Sequence, residues 1–518
     1  AAFDPQGMCN PGKIIPTSRS CGEACGAARR AGKERRAAPP GSAGDAETKR
    51  RAGEEQFVAP THTPAQASRP AASSRRSFDP QAAHAGLARI VGEENIVASQ
   101  RLHIAASHPN ASPAALEVAP ASAGEICEIL RLAAREAWTV VPAGACTWLE
   151  VGNPLRRADV IIKTSRIRRI IEHEPADLIA TAEAGVTLDE LNAELSHAGQ
   201  WLPLDPPDDG RATIGGVAAT GLAGAHGFGY GAPRAALIGM RVALADGRVV
   251  KAGGRVVKNV AGYDLCKLFV GSYGTLGLIL ELTFKLRPRP MQMTTVIATG
   301  PLASMLKSAR AVLDAKLFPV ALELLSPRLA ASSGISTGLS DSALLIRFAG
   351  SLQSVAYQAE RARDLIGDEK RTSTLDISTD DRGLWRRVAA LPLQPEGQLM
   401  WRANVLPAGL GAFLEAIAKR LGEAFSSSLW HAGAGDGRVR VVSSVSTETG
   451  LCVAELEHLR ASARAAGGAL IIESAPREVK ETLDAWGDVG PSASLMRRVK
   501  RQLDPEDMFC PGRFVAGI

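Results

Sequence analysis

Periodic alternation of apolar and polar positions begins near Leu87 and runs to the C-terminus. Ser122-x-x-Glu125 has the form of a capping box and predicts a helix whose apolar face is Ile126, Ile129, Leu130 and Ala133. A strand is expected over Thr139-Val140-Val141-Pro142, followed by a small-residue loop, and further strands over Asp159 to Lys163 and Leu178 to Ala184. A second capping box, Thr187-x-x-Glu190, starts a helix that stops at Gly199. Asp246-Gly247 between two apolar runs predicts a hairpin, and Thr275 to Leu286 a buried strand ended by Pro288 and Pro290. Beyond it, strand-like segments (294 to 298, 343 to 348, 399 to 405, 438 to 442, 469 to 473) alternate with helical ones (302 to 313, 355 to 365, 410 to 421, 452 to 466). That alternation predicts a second, α/β unit over residues 291 to about 475.

Upstream the pattern vanishes. Residues 20 to 77 are rich in Ala, Arg, Pro, Ser and Glu with almost no large apolar residue, Phe57 and Val58 standing alone. Such a stretch cannot bury enough surface to offset its chain entropy, so residues 21–84 are expected to be a disordered linker. The whole chain, at 518 residues, has room for two or three packed units. Its charge of +6 suggests a nucleic-acid binder until the charge is located: residues 1 to 80 hold 13 basic and 8 acidic residues, leaving +1 for the rest. The body has no basic stripe with interleaved aromatics, and nucleic-acid binding is not expected. No apolar run approaches the roughly 20 residues that span a bilayer, so membrane contact is expected only through partners. Eight cysteines without a C-x-x-C pair point to a reducing cytoplasm rather than a disulfide scaffold or a cysteine-ligated cluster.

One internal match stands out. Asp4-Pro5-x-x-Met8-x-x-Pro11-Gly12-Lys13 recurs as Asp504-Pro505-x-x-Met508-x-x-Pro511-Gly512-Arg513. Two similar turns would share the Asp-Pro and Pro-Gly pairs, but not six matching positions at the same spacing over ten residues. Residues 1–20 are therefore expected to be the C-terminal remnant of a related module that preceded this one, in a chain that starts at Ala1 as if cut from something longer.

Candidate chemistry lies in two small-residue segments, Pro142 to Thr147 and Ala212 to Gly221. Side chains this small let consecutive backbone N–H groups converge on an anion such as a pyrophosphate; packing of tight turns is the alternative. Neither segment is a P-loop or a G-x-G-x-x-G fingerprint.

Pro142-Ala-Gly-Ala-Cys-Thr147, Ala212-Thr-Ile-Gly-Gly216 and Gly271-Ser-Tyr-Gly-Thr-Leu-Gly-Leu-Ile279 resemble, in order and spacing, the FAD-binding domain of the p-cresol methylhydroxylase and vanillyl-alcohol oxidase flavoproteins. More narrowly, residues 254 to 265 and the ending Trp486-Gly, Leu495-Met-Arg-Arg, Asp504-Pro and Pro511-Gly-Arg-Phe514 resemble the FAD-binding subunit of bacterial glycolate oxidase. Residues 1–20 resemble the close of that complex's paralogous catalytic subunit. The resemblance implies an α+β fold, a two-subdomain FAD-binding domain over 85–290 with an α/β cap over 291–475 and a segment over 476–518 that returns to the FAD domain. It implies a first pyrophosphate loop of Ala143, Gly144, Ala145, Cys146 and Thr147, a second of Thr213, Ile214, Gly215, Gly216, Thr220 and Gly221, and Gly277 and Ile279 beside the adenosine. It further implies FAD, a small 2-hydroxy acid substrate (glycolate or D-lactate), and two partners, the paralogous FAD catalytic subunit and an iron–sulfur subunit that takes the electrons. The alternative is a flavin-binding scaffold subunit of the same complex that turns over nothing.

Two departures bear on this. Cys146 occupies the slot of a histidine that tethers FAD covalently in several members, and nothing near it in sequence favours the thiolate, so FAD is expected to be non-covalent. His431-Ala-Gly-Ala-Gly-Asp-Gly-Arg-Val-Arg440 resembles the H-x-G-D-G-N-L-H segment of 2-hydroxyacid dehydrogenases, but Gly433 and Arg440 fall at the two histidine positions. His431, shifted by about 7 Å along a strand, is a candidate base or else a surface or capping histidine. Arg347 and Arg402 are candidates for clamping a carboxylate, or solvated structural arginines. Lys258 and Asn259 could donate near the flavin or cap a turn, and Tyr263-Asp264 is expected to fix that turn.

Overall fold

A computed structural model describes residues 78–99, 115–254, 264–338, 341–367, 374–378, 381–391, 398–444 and 449–518. The N-terminal copy of the closing signature, nearly all of the expected linker, and Lys258, Asn259 and Tyr263 lie outside these residues.

The two capping boxes act where they were expected. Ser122 accepts the Glu125 N–H and begins the helix Ala123–Glu136, whose Ile126, Ile129, Leu130 and Ala133 are buried. Glu125 accepts from the Ala121 N–H and from the Ser122 hydroxyl rather than from the Ser122 backbone N–H, so this box closes on one side only. Thr187 and Glu190 form the reciprocal pair at the head of Leu188–Ser196, a cap worth about 1 kcal/mol. The first helix packs, with Pro80–Val91, on a four-stranded sheet of β1 (Ile96–Ser99), β2 (Ala115–Val118), β3 (Val140–Ala143) and β4 (Val160–Lys163), in the order β1-β2-β4-β3. β4 runs parallel to both neighbours, and so leaves β3 at the edge with its C-terminal end opening into the Gly144 loop.

The second sheet has the order β5-β6-β10-β8-β9 and is antiparallel throughout: β5 (Ile170–Glu174), β6 (Ile179–Glu183), β8 (Leu237–Ala243), β9 (Val249–Gly253) and β10 (Leu278–Lys285). The Asp246-Gly247 turn joins β8 to β9, with Gly247 at φ 75°, where a side chain would be strained. β7 (Gln200–Trp201) pairs with β11 (Arg287–Pro288) in a separate ribbon.

The third sheet has eight strands in the order β15-β12-β14-β13-β17-β18-β16-β19, every pair antiparallel. They are β12 (Gln292–Gly300), β13 (Ala321–Leu325), β14 (Ser342–Gly350), β15 (Thr374–Ser378), β16 (Gln398–Asn404), β17 (Leu429–Gly433), β18 (Arg438–Ser444) and β19 (Ala469–Ser474). The period of two sorts its side chains cleanly. Leu344, Ile346, Phe348, Trp401, Trp430 and Val441 face a core shared with the helices Leu302–Asp314, Leu352–Gly367, Leu410–Leu421 and Thr449–Ala465. The register puts Glu323, Arg347, Arg402, His431, Arg438, Arg440 and Glu473 on the opposite side.

The chain end returns to the first sheet. Val140 donates to the Met508 carbonyl and accepts from the Cys510 N–H, which adds Phe509 to the β3 edge. No helix among the described residues is long and apolar enough to cross a membrane.

Candidate functional site

β3, the helix Ile214–Thr220 and the start of β10 converge on one cleft. Its lining includes Ala143, Gly144, Ala145, Cys146, Thr147, Thr213, Gly215, Gly216, Thr220, Gly277 and Ile279, so two segments 70 residues apart in sequence face each other across it. Ile214 points instead into the core of the second sheet, and Gly221 ends the helix in the left-handed region. The second small-residue segment, expected as a loop, is in fact a short helix capped by the Thr213 hydroxyl. Its glycines disfavour a helix by about 1 kcal/mol each; tertiary bonds override them, since Gly215 N–H reaches the Ala184 carbonyl and Ile214 N–H that of Val186.

The contact between the segments is tight. A Cβ on Gly144 would stand 2.2 Å from Thr213 Oγ1, and one on Gly215 would stand 2.7 Å from Ala184 Cβ. Thr147 Oγ1 is buried on the lining without a hydrogen-bond partner among the described residues. A buried hydroxyl left unpaired costs about 1–3 kcal/mol, so the wall is built for a polar group that supplies the missing bond. Cys146, at φ 64°, takes a backbone conformation unusual for a side-chain-bearing residue, and so bends the loop around the cleft.

The cleft also has one cation on its lining and a second against the lining residue Cys146, neither revealed by local sequence. Lys163 Nζ, at the end of β4, lies 2.9 Å from Cys146 Sγ. Arg513, from the closing signature, lines the cleft and donates to the Leu149 carbonyl at 2.7 Å. The lining therefore adds a cationic side chain to the main-chain donors expected from sequence. The signal for Arg513 was the repeated signature itself, read as a closing signature without a role in the cleft.

The charged face of the eight-stranded sheet holds the other candidates. His431 is neither a surface nor a capping residue: it is buried, with Nδ1 3.1 Å from Glu323 Oε2. Burial pushes the Glu323 carboxyl up, but Arg438 and His431 outweigh it and leave it below the usual carboxylate range. Arg347 is not solvated either; its Nη1 lies 2.7 Å from His226 Nε2 and its guanidinium stacks over the Trp385 ring. Arg402 approaches Glu473 at 3.2 Å and the Tyr273 hydroxyl at 3.3 Å. Because Tyr273 lines the cleft, Arg402 is the candidate joined to it through one side chain.

His226, buried, and Asp205, half-buried, form a second pair, with the carboxylate accepting the His226 backbone N–H at 2.9 Å. Burial pushes the Asp205 carboxyl up to about 7, and burial with the Arg347 charge pulls the His226 imidazole down to about 3. The two titrations act on stability with opposite signs. A raised carboxyl keeps a proton in the folded state that the unfolded state has released, so its contribution falls as pH rises from about 4 to 7. A depressed imidazole refuses a proton the unfolded state binds, so its contribution rises from about pH 3 to 6.5. Asp205→Asn should uncover the second slope. Its stability relative to the parent should climb by up to about 1.4 kcal/mol per pH unit between pH 4.5 and 6.5 in urea titrations; parallel pH profiles would refute the burial argument.

A family model described as an FAD binding domain matches residues 114–253. Glycolate oxidase subunit GlcE of Escherichia coli (strain K12) is 32% identical over 360 residues, which cover 68% of this chain and 86% of that protein. The chain belongs to the GlcE family. Glycolate oxidase subunit GlcD of Bacillus subtilis (strain 168) is also 32% identical, over 40% of this chain but only 44% of its own length. Among solved structures, p-cresol methylhydroxylase with substrate bound superposes with a TM-score of 0.63 at 14% identity, covering 84% of this chain and 96% of that one, which establishes the fold. This GlcE-family chain is thus an FAD-dependent oxidoreductase on the p-cresol methylhydroxylase-type fold expected from its motifs.

Proposed function

We propose that this chain is the FAD-binding subunit of a glycolate oxidase-like complex and oxidises a small 2-hydroxy acid, glycolate or D-lactate, to the 2-oxo acid. The observation that carries the reading is the close meeting of Gly144 with Thr213 beside the unpartnered Thr147 hydroxyl, in the segment the FAD binding domain model matches. The pyrophosphate is held by the Ala143–Thr147 loop and by Thr213, Gly215, Gly216 and Thr220, with Ile214 and Gly221 shaping the second segment from behind. Gly277 and Ile279 stand on the adenosine side. Arg513 and Lys163 offset the phosphate charge, a role sequence had given to main-chain donors alone. FAD is bound non-covalently, since Cys146 stands in the slot of the histidine that would tether it. The division into an FAD domain (85–290), a cap (291–475) and a returning segment (476–518) follows from the same reading.

Bound FAD supplies two-electron oxidation; the chain's own residues bind the cofactor, orient the substrate and exclude water. Electrons leave to an iron–sulfur subunit, and the paralogous FAD subunit is the second partner in the cytoplasm, with any membrane reached through them. The test is anaerobic mixing of the purified chain with glycolate and with D-lactate. Bleaching of the flavin's visible absorption is expected. An unchanged spectrum with retained partner binding would instead leave a scaffold that turns over nothing.

A further inference from the structure

Four neighbouring strands bring a set of charges together on the buried face of the eight-stranded sheet. Arg402 on β16 is directly opposite Arg440 on β18, and Arg440 is directly opposite His431 on β17. Like charges placed face to face repel, and a buried, uncompensated guanidinium is costly, so this row needs anions. Only one is supplied to the arginine pair. Glu473 on β19 lies 2.7 Å from Arg440 and 3.2 Å from Arg402, and among the described residues no other carboxylate is within ion-pair distance of either. Glu323, the next carboxylate along, is taken up by His431 and Arg438. Two cations therefore share one anion, and Lys480, which donates to the Glu473 carbonyl, adds a third positive group whose ammonium burial pulls down to about 8.

The hydrogen bonding is incomplete in the same place. Arg440 is 4% exposed, yet its Nη1 has no hydrogen-bond partner among the described residues. Arg402 Nε and Glu473 Oε1 are close enough to attract but not aligned to bond. Arg402 Nη2 reaches the Tyr273 hydroxyl, and Tyr273 lines the flavin cleft.

We propose that Arg402 and Arg440, tied by Glu473, form a receiving site for a small carboxylate anion, the acid end of the substrate. The site rests on the reading of this chain as a 2-hydroxy acid oxidoreductase and names the residues that hold the substrate. A carboxylate there would give Arg440 its missing acceptor and would neutralise the surplus charge. The fork geometry of a guanidinium fits a planar carboxylate, and fixes the orientation of a short acid better than a lysine would. Glu473 competes with the ligand for both arginines, so it sets the affinity from inside.

That competition makes the test specific. Oxalate, which has no α-hydrogen to lose, is titrated calorimetrically into the full chain with and without FAD, and flavin content is recorded for each protein. Arg440→Leu should weaken oxalate binding by about 10- to 100-fold at unchanged flavin content, with partial recovery in Arg440→Lys. Glu473→Gln should bind oxalate more tightly than the parent, by about 10-fold, and should gain more thermal stability from added oxalate than the parent does. A merely structural ion pair would make Glu473→Gln less stable and no better a binder. Unchanged oxalate affinity in both Arg440→Leu and Glu473→Gln overturns the proposal. If Arg440→Leu fails to fold, the Glu473→Gln affinity decides alone. A parent protein that never takes up flavin sinks the cofactor reading, and the titration without FAD still decides this one.

Discussion

Gly144→Ala is expected to yield a folded but colourless protein. The new methyl would stand 2.2 Å from Thr213 Oγ1 and 3.2 Å from Thr213 Cβ, far inside contact distance. Thr213 cannot yield freely, because its hydroxyl caps the helix that carries Gly215 and Gly216, through the Gly216 N–H. Forcing it away costs the cap, about 1 kcal/mol, on top of about 1–3 kcal/mol of overpacking, and it pushes apart the two walls of the cradle. Loss of about 3 kcal/mol of binding energy is a fall of roughly 100-fold in FAD affinity, measurable from the flavin-to-protein absorbance ratio across a cofactor titration. Thr213→Ala added to Gly144→Ala removes the clashing hydroxyl and methyl, and should recover part of that affinity even though Thr213→Ala alone weakens binding. Such non-additivity is the mark of a direct contact. Gly215→Glu goes further, since its Cβ meets Ala184 Cβ at 2.7 Å and the Ala184 carbonyl at 2.8 Å, and its carboxylate would repel the phosphates. That variant should bind no flavin at all; a preparation that emerges yellow would remove the ground for the cradle.

Why sequence disclosed the cradle but not its surroundings is a matter of range. The Thr187 capping box, the Ser122 N-cap, the Asp246-Gly247 hairpin and the apolar face of Ala123–Glu136 are decided by residues close in sequence and appear as expected, while the reciprocal half of the Ser122 box does not form. Small-residue runs are equally local, so the lining of the cleft was legible from them. The state of the second run was not: Gly215-Gly216 argues against a helix locally, and the bonds to Ala184 and Val186 that hold it are distant in sequence. β13 and β17 were missed for a related reason. Ala321–Leu325 is buried on both faces and shows no alternation, while Leu429–Gly433 ends in small residues typical of a turn. The charged face was least legible. His431 finds Glu323 from 108 positions away and Arg440 finds Glu473 from 33, so nothing near either residue distinguishes it from a solvated side chain. Burial gave each of the three isolated candidates a partner distant in sequence, Glu323 for His431, His226 for Arg347 and Glu473 for Arg402.

Asp504→Ala is expected to cost about 3–5 kcal/mol of stability and to release the flavin as well. The Asp504 carboxylate accepts the backbone N–H groups of Met508 at 2.9 Å and Phe509 at 2.7 Å, and takes Lys500 Nζ at 2.6 Å. Lys500, 5% exposed, also donates to the Phe509 carbonyl and to that of Thr275, two residues before Gly277. One buried carboxylate thereby folds the closing signature, neutralises an ammonium and ties both to the strand that borders the cleft. Without it the ammonium keeps its carbonyl partners and only the longer contact to Asp507 at 3.4 Å, and two main-chain donors are orphaned. The turn that carries Phe509 onto the β3 edge and Arg513 into the cleft loses its anchor, so flavin content should fall in step with the urea midpoint. Asp504→Ala with Lys500→Met removes the under-compensated charge, and should be more stable than Asp504→Ala alone while remaining flavin-poor, because the turn is still unheld. Equilibrium urea unfolding of the three proteins, with flavin content read on the same samples, separates the two effects. A single variant within 1 kcal/mol of the parent would mean that the signature is held by packing of Met508 and Phe509 and not by this carboxylate.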